Sequence, residues 1–139
     1  MRVVSDVPVD TYGRTVREAM IRTAKLHPVE TTVADASAAF ENAHVHLLLL
    51  VEGTTLRGTL DRRDLIGAPR AAPALRFARL GGRTVGPNES LAQVHAAMVS
   101  SGRRRLAVVD PGGALLGLLC LKSKRTGFCT DRGVASRSS

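Results

Sequence analysis

A chain of 139 residues with 44% hydrophobic content has the length of one domain or two very small ones, and with only 3% aromatic residues its core must be aliphatic. Two cysteines are too few for a disulfide scaffold and point to a reducing compartment. No apolar run approaches the roughly 20 residues that cross a bilayer, and the opening MRVVSDVPVD lacks a signal-peptide core, so a soluble, cytoplasmic protein without membrane contact is expected. The formal charge of +8 invites a nucleic-acid reading, but half of the excess lies in the last 18 residues, from Lys122. The basic run of the body is Arg103-Arg104-Arg105, with few aromatics beside it, and no specific nucleic-acid binding is expected.

In chain order, Thr15-Val16-Arg17-Glu18 is a capping-box pattern that opens a short helix through Met20 and Ile21. TVADASAAFENA (32–43) predicts a helix with Ser37 as its N-cap. HVHLLLLVEGTTLRGTL (44–60) reads as strand, glycine turn, strand, after which Asp61 caps a last helix over RRDLIG. A Pro/Gly/Ala/Arg linker occupies 67–82. In TVGPNESLAQVHAAMVSSG (84–102) Ser90 is the N-cap, Leu91, Val94, Ala97 and Met98 recur at helical spacing, and Gly102 is the stop. RRRLAVVDPGGALLGLL (103–119) reads as a second hairpin, followed by a polar loop and a helix over RGVASR capped by Thr130 or Asp131.

The two hairpins are copies. A constant offset of 59 aligns Leu47 with Leu106, Leu49 with Val108, Leu50 with Val109, Gly53 with Gly112 and Gly58 with Gly117. The strands are more uniformly apolar than a half-exposed sheet needs, so helices are expected over both faces. Upstream, Thr32-Val33 pairs with Thr84-Val85, while the two cap serines are 53 apart, which makes the first helix region six residues shorter. The expected division is 1–66 for the first unit, 67–82 for the linker and 83–139 for the second unit with a basic tail.

A helix ending in Met ahead of the first unit, then in each unit a Thr-Val pair, a capped helix and an apolar hairpin closing in G-x-L, with x-x-x-D after it in the first, resembles a pair of CBS domains, a Bateman module. The resemblance implies an α/β (α+β) fold of tandem β-α-β-β-α units packed with pseudo-twofold symmetry. It also implies clefts that hold adenine nucleotides or S-adenosylmethionine, a non-catalytic regulatory role, a homodimer and a separate regulated protein. In ligand-binding members the hairpin glycine is followed three positions on by Ser/Thr and six on by Asp. Asp64 then stands in the ribose position after Gly58, and a carboxylate can accept two hydroxyl bonds. Asp61 replaces the phosphate-facing hydroxyl, with Arg62 or Arg63 to offset its charge. In the second copy Cys120 and Ser123 take the two positions, so the copies should not contribute equally. The resemblance further assigns Thr59 and Thr32 to the ligand site.

His44 and His46 alternate, share a strand face and align with Arg103 and Arg105; His46 and Arg105 read as cleft residues, since Arg suits phosphate, and a metal is not expected. Cys120 reads as a small buried residue and Cys129 as a loop residue open to solvent. No P-loop, nucleophile elbow or H-E-x-x-H is present, so no enzymatic activity and no required cofactor are expected. Two functions stay open: a sensor of an adenosine-containing ligand (AMP, ADP, ATP, NAD or S-adenosylmethionine), and an interaction module that binds no nucleotide and acts by dimerising or docking on a partner. The helix face Leu91/Val94/Met98, with few aromatics to close a core in each small unit, leaves apolar surface for a second copy and predicts a homodimer.

Overall fold

The computed structural model describes residues 13–125 and 127–131. Two three-stranded sheets form, each with one parallel and one antiparallel pairing. In the first, β1 (Leu26–Pro28) runs parallel to β2 (Leu48–Glu52), which pairs antiparallel with β3 (Thr55–Leu60). In the second, β4 (Thr84–Val85) is parallel to β5 (Arg105–Val109), which pairs antiparallel with β6 (Leu115–Cys120). The helices are α1 (Val16–Ala19), α2 (Val33–Ala39) and α3 (Leu91–Ser101), and single 3-10 turns cover Arg62–Leu65 and Ala74–Phe77.

A pseudo-twofold relation governs how the units interlock. Each hairpin receives the segment that leads into the other unit. Ile21 and Leu118 exchange backbone hydrogen bonds of 2.8 and 2.9 Å, and Thr59 and Arg79 do the same at 2.9 and 2.8 Å. Thr15 bridges to Ser90 as Pro73 bridges to Thr32, and Thr55 meets Ala114 between the two hairpin turns. The aligned glycines exist for these crossings. A Cβ on Gly58 would stand 2.5 Å from Cβ of Ala78, and one on Gly117 would stand 2.5 Å from the carbonyl oxygen of Ile21. No side chain fits where the incoming segment passes.

Three apolar clusters follow. Ala36, Phe40, Leu48, Leu50 and Leu60 pack within the first unit. Val16, Met20, Leu91, Val94, Met98 and Leu119 pack within the second. Ile21, Leu47, Leu49, Leu56, Ala107 and Leu118 join the two sheets. Leu91, Val94 and Met98 are therefore buried inside their own chain, against α1 and the second sheet. The apolar face on which the expected dimer rested is already covered.

Four local expectations change. The first N-cap is Thr32, whose hydroxyl accepts from the Asp35 N–H at 3.1 Å, and Ser37 lies inside α2. Thr32 and Ser90 are equivalent, and Thr84-Val85 corresponds to β1 instead of Thr32-Val33. The first helix is short at its C-terminal end: it stops at Phe40, while α3 runs on to Gly102, where a left-handed φ of 74° suits glycine. Arg62 explains the early stop, because its guanidinium donates to the carbonyls of Phe40, Asn42 and Val45 at 2.6, 3.0 and 2.8 Å and takes carbonyls left by the helix end. Finally, Cys129 is buried and joined to Cys120 in a disulfide, where the sequence suggested an exposed thiol. The expected helix over 132–137 lies outside the described residues.

Candidate functional site

His46 and Leu47 lead into β2, and Arg105 opens β5 at the equivalent place in the second unit. They meet in the cleft between the units and line two adjoining cavities. The larger, about 400 Å³, is walled by Ile21, Thr23, Ala24 and Lys25 ahead of β1, by Ala38 and Ala39 of α2, by His44 to Leu49, and by Leu118 and Cys120 of β6. The smaller, about 320 Å³, is basic: Arg62 and Arg63 enter from one unit and Arg103, Arg104 and Arg105 from the other, with Asp61 as the acidic neighbour. The Arg105 side chain is buried and donates to the carbonyls of Arg104 and Leu121 at 3.1 and 3.3 Å. Burial, and then the charges of Arg105, Arg104, Arg62 and His44, pull the His46 pKa down to about 4, so its imidazole is neutral at physiological pH.

The other expected site residues gather elsewhere. Asp61 caps the 3-10 turn and accepts from the N–H groups of Arg63 and Asp64 at 2.9 and 3.2 Å. Asp64 accepts from the Asp61 N–H at 2.8 Å. Both carboxylates converge on Arg83, whose Nη2 lies 3.1 Å from Asp61 Oδ2 and 3.0 Å from Asp64 Oδ1. The Asp64 side chain is only 5% exposed and that of Arg83 only 7%, so the pair is sealed. Thr59 is fully buried beside them, its hydroxyl donating to the Arg79 carbonyl. Thr32 caps α2, and Ser123 is exposed in the loop after β6; neither lines either of these two cavities. Of the sequence candidates, His46, Arg105, Arg62 and Asp61 come together at the cleft, whereas Thr59 and Asp64 belong to the Arg83 network.

The two halves of the cleft differ for a chemical reason. By the pseudo-twofold relation, Arg83 corresponds to Lys25, and Asp61 and Asp64 correspond to Cys120 and Ser123. In one half a cation and two carboxylates fill the space. In the other the carboxylates are gone, and Lys25 is left on the wall of the larger cavity. An open, cation-lined cavity with an apolar floor is the result. Arg83 was not identified from the sequence, because its role depends on the crossing of Thr59 with Arg79 and no spacing rule announces that contact. Among the described residues, no group of three or more His, Cys, Asp or Glu side chains is placed to hold a metal, and no helix is long and apolar enough to cross a membrane.

Titration of these groups sets an acid response. Burial pushes the Asp64 carboxyl up, but hydrogen bonds and charge from Arg83 outweigh it and hold the pKa below its usual 3.8; the hydrogen bond from the Thr23 hydroxyl does the same for Asp131. His46, and His27 by burial and the charge of Lys25, are lowered as bases. The unfolded chain therefore takes up more protons than the folded one first at the histidines, then at the carboxylates. Stability should begin to fall as pH drops below the histidine value of 6.5, continue to about 4, and fall further below the carboxylate value of 3.8. Urea midpoints across this range should show the first limb shrink in His46→Gln and the second remain.

Comparison with known proteins places these features. The family model for the CBS domain matches residues 83–123, which span β4, α3, β5 and β6. No curated protein matches the chain. Among solved structures, AcuB from Vibrio cholerae superposes with a TM-score of 0.67 at 21% identity, over 77% of this chain and 84% of that one. CBSX2 in complex with AMP gives 0.67 at 20% identity, over 91% and 100%. The cytosolic domain of the Mg2+ channel MgtE in complex with ATP gives 0.56 at 20% identity, over 77% and 44%.

Proposed function

We propose that this chain, which has the fold of a CBS domain pair, is a non-catalytic regulatory module whose cleft takes up an adenosine-containing ligand. The observation that carries this reading is the junction of an apolar cavity with a basic one at His46, Leu47 and Arg105. Their sizes, about 400 and 320 Å³, lie in the range of small-molecule sites. A purine ring fits among Ile21, Ala24, Ala38 and Leu118, while phosphate lies against the guanidinium groups of the basic side. Neutral His46 offers a hydrogen bond at the junction without adding charge. Two solved structures of this fold are complexes with AMP and ATP, which supports the ligand class.

In this reading Asp64 is structural. Its carboxylate is already bonded to Arg83, so the ribose role expected for it passes to the half of the cleft that is open. That same engagement favours a second reading, an interaction module that binds no nucleotide. A thermal-shift comparison with AMP, ADP, ATP, NAD and S-adenosylmethionine separates the two. A ligand at 100 times its Kd should add about 2.7 kcal/mol, a rise on the order of 10 °C for a domain of this size. No shift with any of the five would favour the interaction module. A homodimer would have Leu26, Ile66 and Leu80 as its exposed aliphatic side chains. Binding to nucleic acid is expected to be weak, non-specific and salt-sensitive.

A further inference from the structure

Beyond β6 the chain turns back as a strap. Lys122 N–H donates to the Gly127 carbonyl at 2.9 Å, Cys129 N–H to the Cys120 carbonyl at 2.7 Å, and Leu121 bridges to Phe128. Phe128 meets buried His95 edge-on at 5.8 Å, and His95 Nε2 lies 2.7 Å from the Arg125 carbonyl oxygen. The strap ends at Asp131, whose Oδ1 accepts from Arg22 N–H, Thr23 N–H and the Thr23 hydroxyl at 2.7, 2.9 and 2.7 Å. Ile21 and Thr23 form one wall of the larger cavity, and Cys120 lines the same cavity. The Cys120–Cys129 disulfide thus ties together, through a few residues, the cavity lining and the carboxylate that holds its wall.

We propose that this disulfide is a redox latch on the cavity. Oxidised, it keeps Asp131 seated on Arg22 and Thr23 and the wall formed. Reduced, it lets the strap lift, the carboxylate leaves, and the wall loosens. In the step itself a dithiol supplies two electrons and two protons. The bond between the two sulfurs breaks, Cys120 and Cys129 become thiols, and the reductant's own sulfurs join as a disulfide. Both cysteines are buried, at 1% and 5% exposure, so the attacking thiolate reaches them only after the strap has opened. Reduction is therefore gated by Asp131 and the strap contacts. That the latch alters ligand affinity rests on the cavity being the ligand site; that it alters the wall does not.

Amide hydrogen exchange on the full chain, oxidised and after dithiothreitol, tests the latch, with Asp131→Asn as a variant that keeps the disulfide intact. Arg22 and Thr23 should exchange roughly tenfold faster or more after reduction and in Asp131→Asn, as the loss of even one charge-assisted hydrogen bond implies, while Leu49 and Leu50 keep their protection. Asp131→Asn should also be reduced faster than the wild type. In a parallel titration AMP affinity should drop in the same samples. Unchanged protection at Arg22 and Thr23 in both samples would overturn the latch, and loosened protection with unchanged AMP affinity would overturn its control of the ligand. If protection falls on reduction but AMP binds neither form, the latch stands and the nucleotide reading fails.

Discussion

Arg83→Met should destabilise the fold by about 3–5 kcal/mol, the cost of leaving a buried ion pair without its partner. Asp64 and Asp61 are 5% and 15% exposed at the side chain and share this one buried guanidinium. Without it Asp64 stays buried, and Arg79, 3.6 Å away and 71% exposed, is too solvated to replace it. Such a loss is a large part of the roughly 5–15 kcal/mol that a domain has in total. Arg79→Met should stay within about 0.5 kcal/mol, as surface substitutions do. Chemical unfolding of the two variants side by side measures the difference. Equal effects would mean that the Asp61–Asp64–Arg83 network is not what closes its half of the cleft.

The aligned glycines give the second large effect. Gly117→Ala should destabilise by about 1–3 kcal/mol, the usual penalty for forcing atoms into a packed site. The added methyl would meet the Ile21 carbonyl oxygen at 2.5 Å and Met20 Sδ at 2.9 Å. The former is backbone within the crossing and cannot swing aside. Gly58→Ala should cost a comparable amount against Ala78. Gly112, equally glycine in the sequence, would place a Cβ no closer than 3.4 Å to Asp110 Oδ1, so Gly112→Ala should be close to neutral. Because Ile21 also lines the larger cavity, Gly117→Ala should weaken nucleotide binding as well, whereas Gly112→Ala should not.

The same glycines show what a sequence can disclose about this fold. The hairpins were legible because continuous apolar runs around a glycine turn recur, but the single offset of 59 holds only after the turn: Leu50 pairs with Gly58 as Val108 pairs with Gly117, so the strands ahead of the turn are 58 apart and the second turn is one residue longer. The 3-10 turn after β3 was legible because Asp61 and Asp64 stand at capping-box spacing, and α1 because Thr15 and Glu18 do. The first helix was misplaced for a chemical reason. Thr32-Val33 matches Thr84-Val85 letter for letter, but Thr32 caps a helix as Ser90 does, since either hydroxyl can accept from a first-turn N–H. The site was less legible than the fold. His46 and Arg105 meet at the cleft although the strand register matches Arg105 to Leu47, and Arg83 and Asp131 act across the crossing of the two units, on partners far away in sequence. Whether Cys120 and Cys129 join depends on the strap that brings their Cα atoms to 5.3 Å, which spacing in the chain does not tell.

The most direct measurement is calorimetric titration of AMP into the wild-type chain, Ala38→Trp and Asp64→Asn. Ala38 is exposed on α2 and lines the larger cavity, so an indole there fills the space proposed for the purine without entering the core. The expected result is a single site in the wild-type chain, loss of binding in Ala38→Trp with its melting point preserved, and retained binding in whatever fraction of Asp64→Asn remains folded. Undiminished binding in Ala38→Trp, or its selective loss in folded Asp64→Asn, would contradict the assignment and place the ligand in the half of the cleft that Arg83 occupies.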